Sequence, residues 1–311
     1  MNLETNILVE KLNINVDEIQ IPNLSDEEKS LVEKYIEITR HIKEIDQLFH
    51  IFRFNVKNTL SHYKLHSNDT IESKVDTNFE ESDYIIINAY VINIISSGKT
   101  LIESIEIFMK ENIGEDSEKY INFKLEYLSK IYDDIFSYRF LMRIRDLSQH
   151  GHLPLCIDFN NQYCFDLDNL LSTPHFNHNK KIKGEMENIR EDIYNKYSDN
   201  PKIMFTRTLA EFNFAIIKIY MGFLDSIEAD IFDHIGKINC LLKTRPDIVH
   251  VSDDFLNGYI FYDIINNSLQ CFDSKDDSEK MFLEFKQNIL LILKKEEREL
   301  QLLNDCYKKN N

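Results

Sequence analysis

The chain has 311 residues, 43% of them hydrophobic, enough for one large domain or two ordinary ones with a sizeable core. Only 7 Gly and 5 Pro punctuate that length, which argues for long helices and against a many-turned β fold. With 53 acidic against 36 basic residues the net charge is −17, so nonspecific binding of duplex DNA or RNA is not expected, and any nucleic-acid role must use a small local site or an oligomer that gathers basic groups.

The N-terminus, MNLETNILVE, has neither a basic nor an apolar leader region, and secretion is not expected. Five cysteines (Cys156, Cys164, Cys240, Cys271, Cys306) contain no CxxC pair and read as reduced thiols of a cytoplasmic protein. No run approaches about 18 uninterrupted apolar residues, so no membrane span is expected. Residues 1–24 form an unassigned N-terminal segment ending near Pro22.

Ser25-Asp26-Glu27-Glu28 is a capping box that opens a helix running to about Lys64. Residues 65–80 read as a polar loop. A second helix is expected from Glu81 to about Asn112, with Ile87, Val91, Ile94, Leu101, Ile105 and Phe108 at helical spacing. A polar stripe of Asn93, Ser97, Thr100 and Ser104, with Ser96 beside it, shares the helix. It fits either a close helix–helix contact or the polar lining of a site. After Gly114 a third long helix is expected from Glu118 to about His150. Leu128, Ile131, Ile135, Tyr138, Met142, Arg145 and Gln149 lie on one face of it, apolar until Arg145. Arginine is rarely buried alone, so Arg145 should either pair with a carboxylate or bind an anion at an interface.

Past Pro154, CIDFNNQYCFDLD (156–168) predicts a hairpin around Asn160-Asn161-Gln162, with Asp168 capping a short turn through Leu171. Residues 173–180 read as a polar loop, and helices follow over about 181–195 and from Pro201 to about Leu242. Asn257-Gly258 suggests a second hairpin within 247–272. Ser274 to about Lys308 closes the chain as a long helix. No internal repeat or low-complexity tract appears.

The chemistry concentrates in Arg145-Asp146-Leu147-Ser148-Gln149-His150. Histidine moves protons near neutral pH, and arginine holds phosphate with a planar fork of donors. Together they suffice for metal-free RNA cleavage, in which a base deprotonates the ribose 2′-OH and a cation stabilises the phosphate that it attacks. Five residues at ~100° each set the two side chains about 140° apart on an ideal helix. Gly151 and Pro154 would let the last turn loosen and His150 swing, and a symmetric dimer would gather two copies. The plainer alternative is an arginine paired with Asp134, Asp146 or another acid, and a histidine favoured at a helix C-terminus by the dipole, by ~0.3–1 kcal/mol.

An Arg, a polar residue, a short spacer and His resembles the signature of the HEPN superfamily of helical-bundle proteins. The likeness extends to the aromatic-rich Tyr138-Arg139-Phe140-Leu141 before the motif, and to Gln149-His150 with Leu153-Pro154 after it. Upstream, Asn93 and Ser96-Ser97 match the Asn and Ser-rich stretch of a bacterial and phage type. It covers roughly residues 25–170. Asp146 departs from the commoner Asn. The resemblance implies a homodimeric, metal-independent endoribonuclease of toxin, abortive-infection or antiphage type, with an antitoxin or defence-system protein as a further partner. It implies His150 as acid or base, Arg145 stabilising phosphate and Asp146 orienting one of them, with Gln149, Ser148, Asn93, Ser96 and Ser97 in support. Its alternative is a non-catalytic module that binds a partner protein or nucleotide.

His150-Gly151-His152 and His175-Phe176-Asn177-His178 lack a matching ligand set, and no metal or cofactor is expected. No GxGxxG, no GxxxxGK[ST] and no GxSxG occurs. Lys180-Lys181-Ile182-Lys183 and Lys294-Lys295 read as solvated basic clusters. The expected architecture is mainly α: a HEPN-like helical bundle with long helices over 25–172, one or two small β hairpins, and a C-terminal helical region over 173–311 packed on the bundle.

Overall fold

A computed structural model describes residues 24–68, 81–158, 162–197, 201–252, 257–263, 268–272 and 278–309. The protein is mainly helical with two small antiparallel sheets. The residues before 24, the expected loop beyond 68 and the Asn160-Asn161 turn lie outside the described residues.

In chain order the helices α1 (Asp26–Asn68) and α2 (Glu81–Phe108) come first, and α2 continues as a wide π turn, Met109–Gly114. The capping box is formed: Ser25 N–H donates to Glu28 Oε2 at 2.8 Å, and Glu28 N–H donates to Ser25 Oγ at 3.3 Å. Then follow α3 (Glu118–Phe123), a second π turn (Lys124–Ser129), α4 (Lys130–Asp134) and α5 (Phe136–Gln149).

The third helix is therefore not the continuous rod expected over 118–150. Ile135 is extended (φ −109°, ψ 101°) and separates α4 from α5. The break frees carbonyls at the end of α4, and Arg139 takes them: its guanidinium donates to the carbonyls of Tyr132 and, at 2.6 Å, of Asp133. Its remaining donors grip Glu185, Nε to Oε2 at 3.2 Å and Nη2 to Oε1 at 2.5 Å. In α5 Ser137, Tyr138, Arg139, Phe140, Leu141, Ile144 and Leu147 are buried, so the expected stripe holds at Tyr138, while Arg145 and Gln149 stand beside the core rather than in it.

Strands β1 (Cys156–Ile157) and β2 (Tyr163–Asp166) make the expected hairpin, and β3 (Lys202–Met204) joins them in the order β1-β2-β3. The helix anticipated from Pro201 accordingly starts later, because residues 202–204 pair with β2 in the register Cys164↔Met204. Between these strands lie α6 (Leu167–Ser172), a 3₁₀ turn (Pro174–His178) in place of the expected loop, and α7 (Lys180–Tyr197). The cap of α6 is Asp166, whose carboxylate accepts from Asn169 N–H at 2.9 Å; Asp168 instead accepts from the Tyr194 hydroxyl.

Helix α8 (Phe205–Thr244) precedes β4 (Val249–Ser252), β5 (Asn257–Asp263), β6 (Ser268–Phe272) and α9 (Ser278–Lys309). Asn257-Gly258 does not form a two-residue turn. It opens β5, paired with Ser252 and Val251, which makes the β4–β5 connection four residues long.

The chain divides into two compact units, residues 44–226 with 288–311, and residues 1–43 with 227–287. The boundary read at 172/173 falls inside the larger unit. That unit is built around the first half of α8, which is buried on nearly every side: Phe212, Ala215, Ile216, Ile217, Ile219, Tyr220, Phe223 and Leu224 are all at most 1% exposed. Phe49 of α1 stacks on Tyr220 at 4.2 Å, Phe108 of α2 meets Phe223 edge-on at 5.4 Å, and Tyr138 of α5 stacks on Phe212 at 6.1 Å. The helical stretch Tyr84–Gly114 is long and apolar enough to cross a membrane, yet its Ile87, Val91, Ile94, Leu101 and Ile105 fill this core. In the smaller unit Val32, Tyr35 and Ile38 of α1 and Ile227, Ile231, Ile235 and Ile238 of α8 are buried, and Arg245 pairs with Glu28 at 2.6 Å.

Candidate functional site

The motif residues sit where α5 stops, inside the larger unit. Leu147 is the last buried residue of the helix, and His150 is its C-cap (φ −91°, ψ 15°). Gly151 adopts φ 85°, the left-handed conformation that glycine tolerates best. The last turn tightens rather than loosens: His150 N–H donates to the Leu147 carbonyl and Gly151 N–H to that of Ser148, each at 3.1 Å. The chain then runs to Leu155, where it is fastened. There N–H donates to Asn88 Oδ1 at 3.1 Å, and the carbonyl accepts the Tyr84 hydroxyl at 2.7 Å. Asn88 is 1% exposed, so this anchor is buried in α2.

From the other side the 3₁₀ turn delivers His175, held by the fully buried Phe176 that follows it. Arg143 ties the two segments together. Its Nη2 donates to the His175 carbonyl at 3.0 Å, and its Nη1 to Asp146 Oδ2 at 3.0 Å. Arg145 approaches the other oxygen of Asp146 at 3.8 Å. The His150 and His175 rings lie 5.6 Å apart, tilted by 57°. Burial holds the His175 imidazole below its ordinary pKa, and the charges of Arg143, His150 and His152 act in the same direction while Asp146 opposes them. The Nε atoms of Arg143 and Arg145 and the Nε2 of His175 are buried without a hydrogen-bond partner among the described residues.

The structure thus assembles Arg143, Arg145, Asp146, His150, His152 and His175 at one helix end. Chemically this is a donor-rich patch in which two guanidiniums share one carboxylate and the imidazoles of His150 and His175 lie side by side. It suits an anion with a titratable proton nearby. Arg145 is half-buried and His150 exposed. Gln149 is exposed as well, whereas Ser148 turns its hydroxyl back to the Ile144 carbonyl at 2.9 Å, a bond internal to the helix.

The polar stripe of α2 lies elsewhere. Ser97 accepts from Asn55 Nδ2 of α1 at 3.1 Å and donates to the carbonyl of Asn93 at 2.8 Å. Asn93 is exposed and Ser96 half-buried. The α2 side chains that reach the motif's exit are Tyr84 and Asn88. Arg143, His152 and His175 were not singled out for the site by sequence. Arg143 carried a signal, its spacing of three from Asp146, but nothing local announces that His175 folds back onto His150. Lys181, from the basic cluster, is paired with Asp133 at 2.5 Å.

Among the described residues no group of three or more His, Cys, Asp or Glu side chains is placed to hold a metal ion. An open groove of about 490 Å³ runs between α2 and the α3–α5 stretch, lined by Glu103, Glu106, Lys124, Tyr132, Tyr138 and Met142 among others, and includes none of the motif residues. No family model, curated protein sequence or solved structure matches the chain.

Proposed function

We propose that the chain is a HEPN-type effector that cleaves RNA without a metal, acts as a homodimer in the cytoplasm, and belongs to a toxin, abortive-infection or antiphage system. The observation that carries this reading is the cluster at the end of α5, where Arg143 bonds the His175 carbonyl, the His150 and His175 rings lie 5.6 Å apart and Arg145 stands by Asp146, on a chain that is otherwise acidic. In the reaction His150, exposed at the cap, takes the ribose 2′-OH proton. The 2′-oxygen attacks the neighbouring phosphorus, the 5′-oxygen leaves with a proton drawn from water, and a 2′,3′-cyclic phosphate remains, while His150 returns its proton to solvent. Arg145 and Arg143 balance the charge that builds on the phosphate oxygens. His175, whose pKa burial lowers, stands next to His150. The dimer reading is supported by apolar side chains left exposed beside the anchor, Ile85 at 55% and Leu153 at 53%.

One observation favours a second reading, a nucleotide-binding module that does not cut. Asp146 engages both arginines, which lowers the positive field available to a phosphate in flight. The test is purified protein on total RNA in the presence of EDTA, wild type beside Arg145→Ala and His150→Ala. Cleavage leaving cyclic phosphate ends, reduced at least about 100-fold in both variants, is the expected result. Binding of RNA or nucleotide without cleavage, weakened by Arg145→Ala and indifferent to His150→Ala, sinks the nuclease and leaves the binding module.

A further inference from the structure

Two thiols oppose each other across the β1–β2 pair. Cys156 and Cys164 are register partners, and their sulfurs lie 3.3 Å apart. The pair is of the hydrogen-bonded type, in which the Cβ atoms stand farther apart than in a non-hydrogen-bonded pair, so it is the approach of the sulfurs that argues for a bond between them. Asp158 N–H donates to the Gln162 carbonyl at 2.9 Å, which marks 158/162 as a hydrogen-bonded pair. Alternation along an antiparallel ladder makes 156/164 hydrogen-bonded too, with Cα atoms about 5.5 Å apart, inside the span of a disulfide. The sulfurs need close by only about 1 Å to reach bonding distance.

We propose that Cys156 and Cys164 form a reversible dithiol–disulfide pair oxidised by hydroperoxides. This inference is independent of the RNA-cleaving reading. Cys156 is the attacking thiol: it lies half-buried on the edge strand, whereas Cys164 is fully buried on the central one. Its contact with the Cys164 sulfur, in which either thiol can be the donor, holds the Cys156 pKa below the usual thiol value, with Lys202 assisting, against the effects of burial and of the Asp166 charge. Cys164 is shifted upward by that same bond and by burial, so it keeps its proton until it is called on.

The Cys156 thiolate attacks one peroxide oxygen. An S–O bond forms, the O–O bond breaks, and the departing alkoxide or hydroxide takes a proton to become alcohol or water. The Cys164 sulfur then gives up its proton and attacks the Cys156 sulfur. The S–S bond forms, the S–O bond breaks, and the hydroxide leaves as water. Two thiols lose two electrons and the peroxide gains them. The new bond lies one residue beyond Leu155, whose backbone Asn88 and Tyr84 hold, so it staples the strand that continues from His150.

The test uses the full reduced chain exposed to increasing hydrogen peroxide, followed by alkylation of the remaining thiols and peptide mapping. The expected product is an intrachain Cys156–Cys164 disulfide, two hydrogens lighter and reversed by dithiothreitol, formed at peroxide doses that leave the exposed Cys240 alkylatable. In Cys164→Ser, oxidation should stop at a sulfenic acid on Cys156, trapped by a dimedone probe. The proposal fails if wild-type Cys156 and Cys164 both stay alkylatable while Cys240 oxidises, or if Cys156 oxidises only into intermolecular bonds. The wild-type map alone decides between these results, so a poorly folding variant does not obscure the outcome.

Discussion

Arg139 and Arg145 share one helix and do opposite things. Arg139 is 3% exposed, with four hydrogen bonds from its guanidinium drawing Glu185 and the carbonyls of Tyr132 and Asp133 into one buried knot. Arg145 is part-exposed and meets Asp146 only at 3.8 Å. Removing the buried cation leaves the carbonyls and Glu185 without their donor, so Arg139→Met should cost about 3–5 kcal/mol in urea unfolding. Arg145→Ala should cost less than about 1 kcal/mol. Equal losses would mean that Arg145 is structural after all, and any loss of activity in Arg145→Ala would then say nothing about chemistry. The sequence pattern pointed to the wrong arginine as the core one because it assumed an unbroken helix through Ile135. In α5, which starts after the break, the buried side includes position 139 and runs on through 144 and 147, and position 145 stands at its edge.

Elements were legible where their signals are local. The capping box, the long helices other than that over 118–150, and the β1–β2 hairpin follow from spacing and turn chemistry, and each is present. The failures share one physical cause, which is tertiary partners overriding local preference. Residues 202–204 become a strand because β2 offers an open edge, the segment at 174–178 winds into a turn because Phe176 is drawn into the core, and α4 stops where Arg139 can cap it. Close helix packing has the same character. Gly222 lies in the buried half of α8, and a methyl group built there would fall inside the Tyr127 ring; Gly98 of α2 leaves room for Phe212, whose ring would lie 3.1 Å from such a methyl. Neither contact can be foreseen from a lone glycine in a helical run. Gly222→Ala should therefore destabilise by about 1–3 kcal/mol through overpacking, despite alanine's better helix propensity. Thermal unfolding reads this directly. A Gly222→Ala protein more stable than wild type would show that α8 and the π turn at 124–129 are less tightly packed than the structure has them.

At the scale of the whole molecule, the candidate site depends on residues that the chain brings back from far away. Its α5 half, Arg145 to His150, was legible, while His175 reaches it only through the β hairpin and α6. The same scale sets how such a site can meet RNA. A chain of net charge −17 repels a polyanion, so attraction must come from the few cations at the end of α5. Each phosphate neutralised on a single strand contributes about −0.7 to the slope of log K against log salt. Arg143 and Arg145 together therefore predict a slope of about −1.4, and Arg145→Ala should make it shallower by about 0.7. The measurement is equilibrium binding of a short single-stranded RNA to His150→Ala protein over a range of salt concentrations, so that cleavage does not deplete the ligand. A slope steeper than about −3 would require an extended basic track that two arginines do not supply. RNA would then be held on a different surface, and the end of α5 would lose its claim to be where the strand is read.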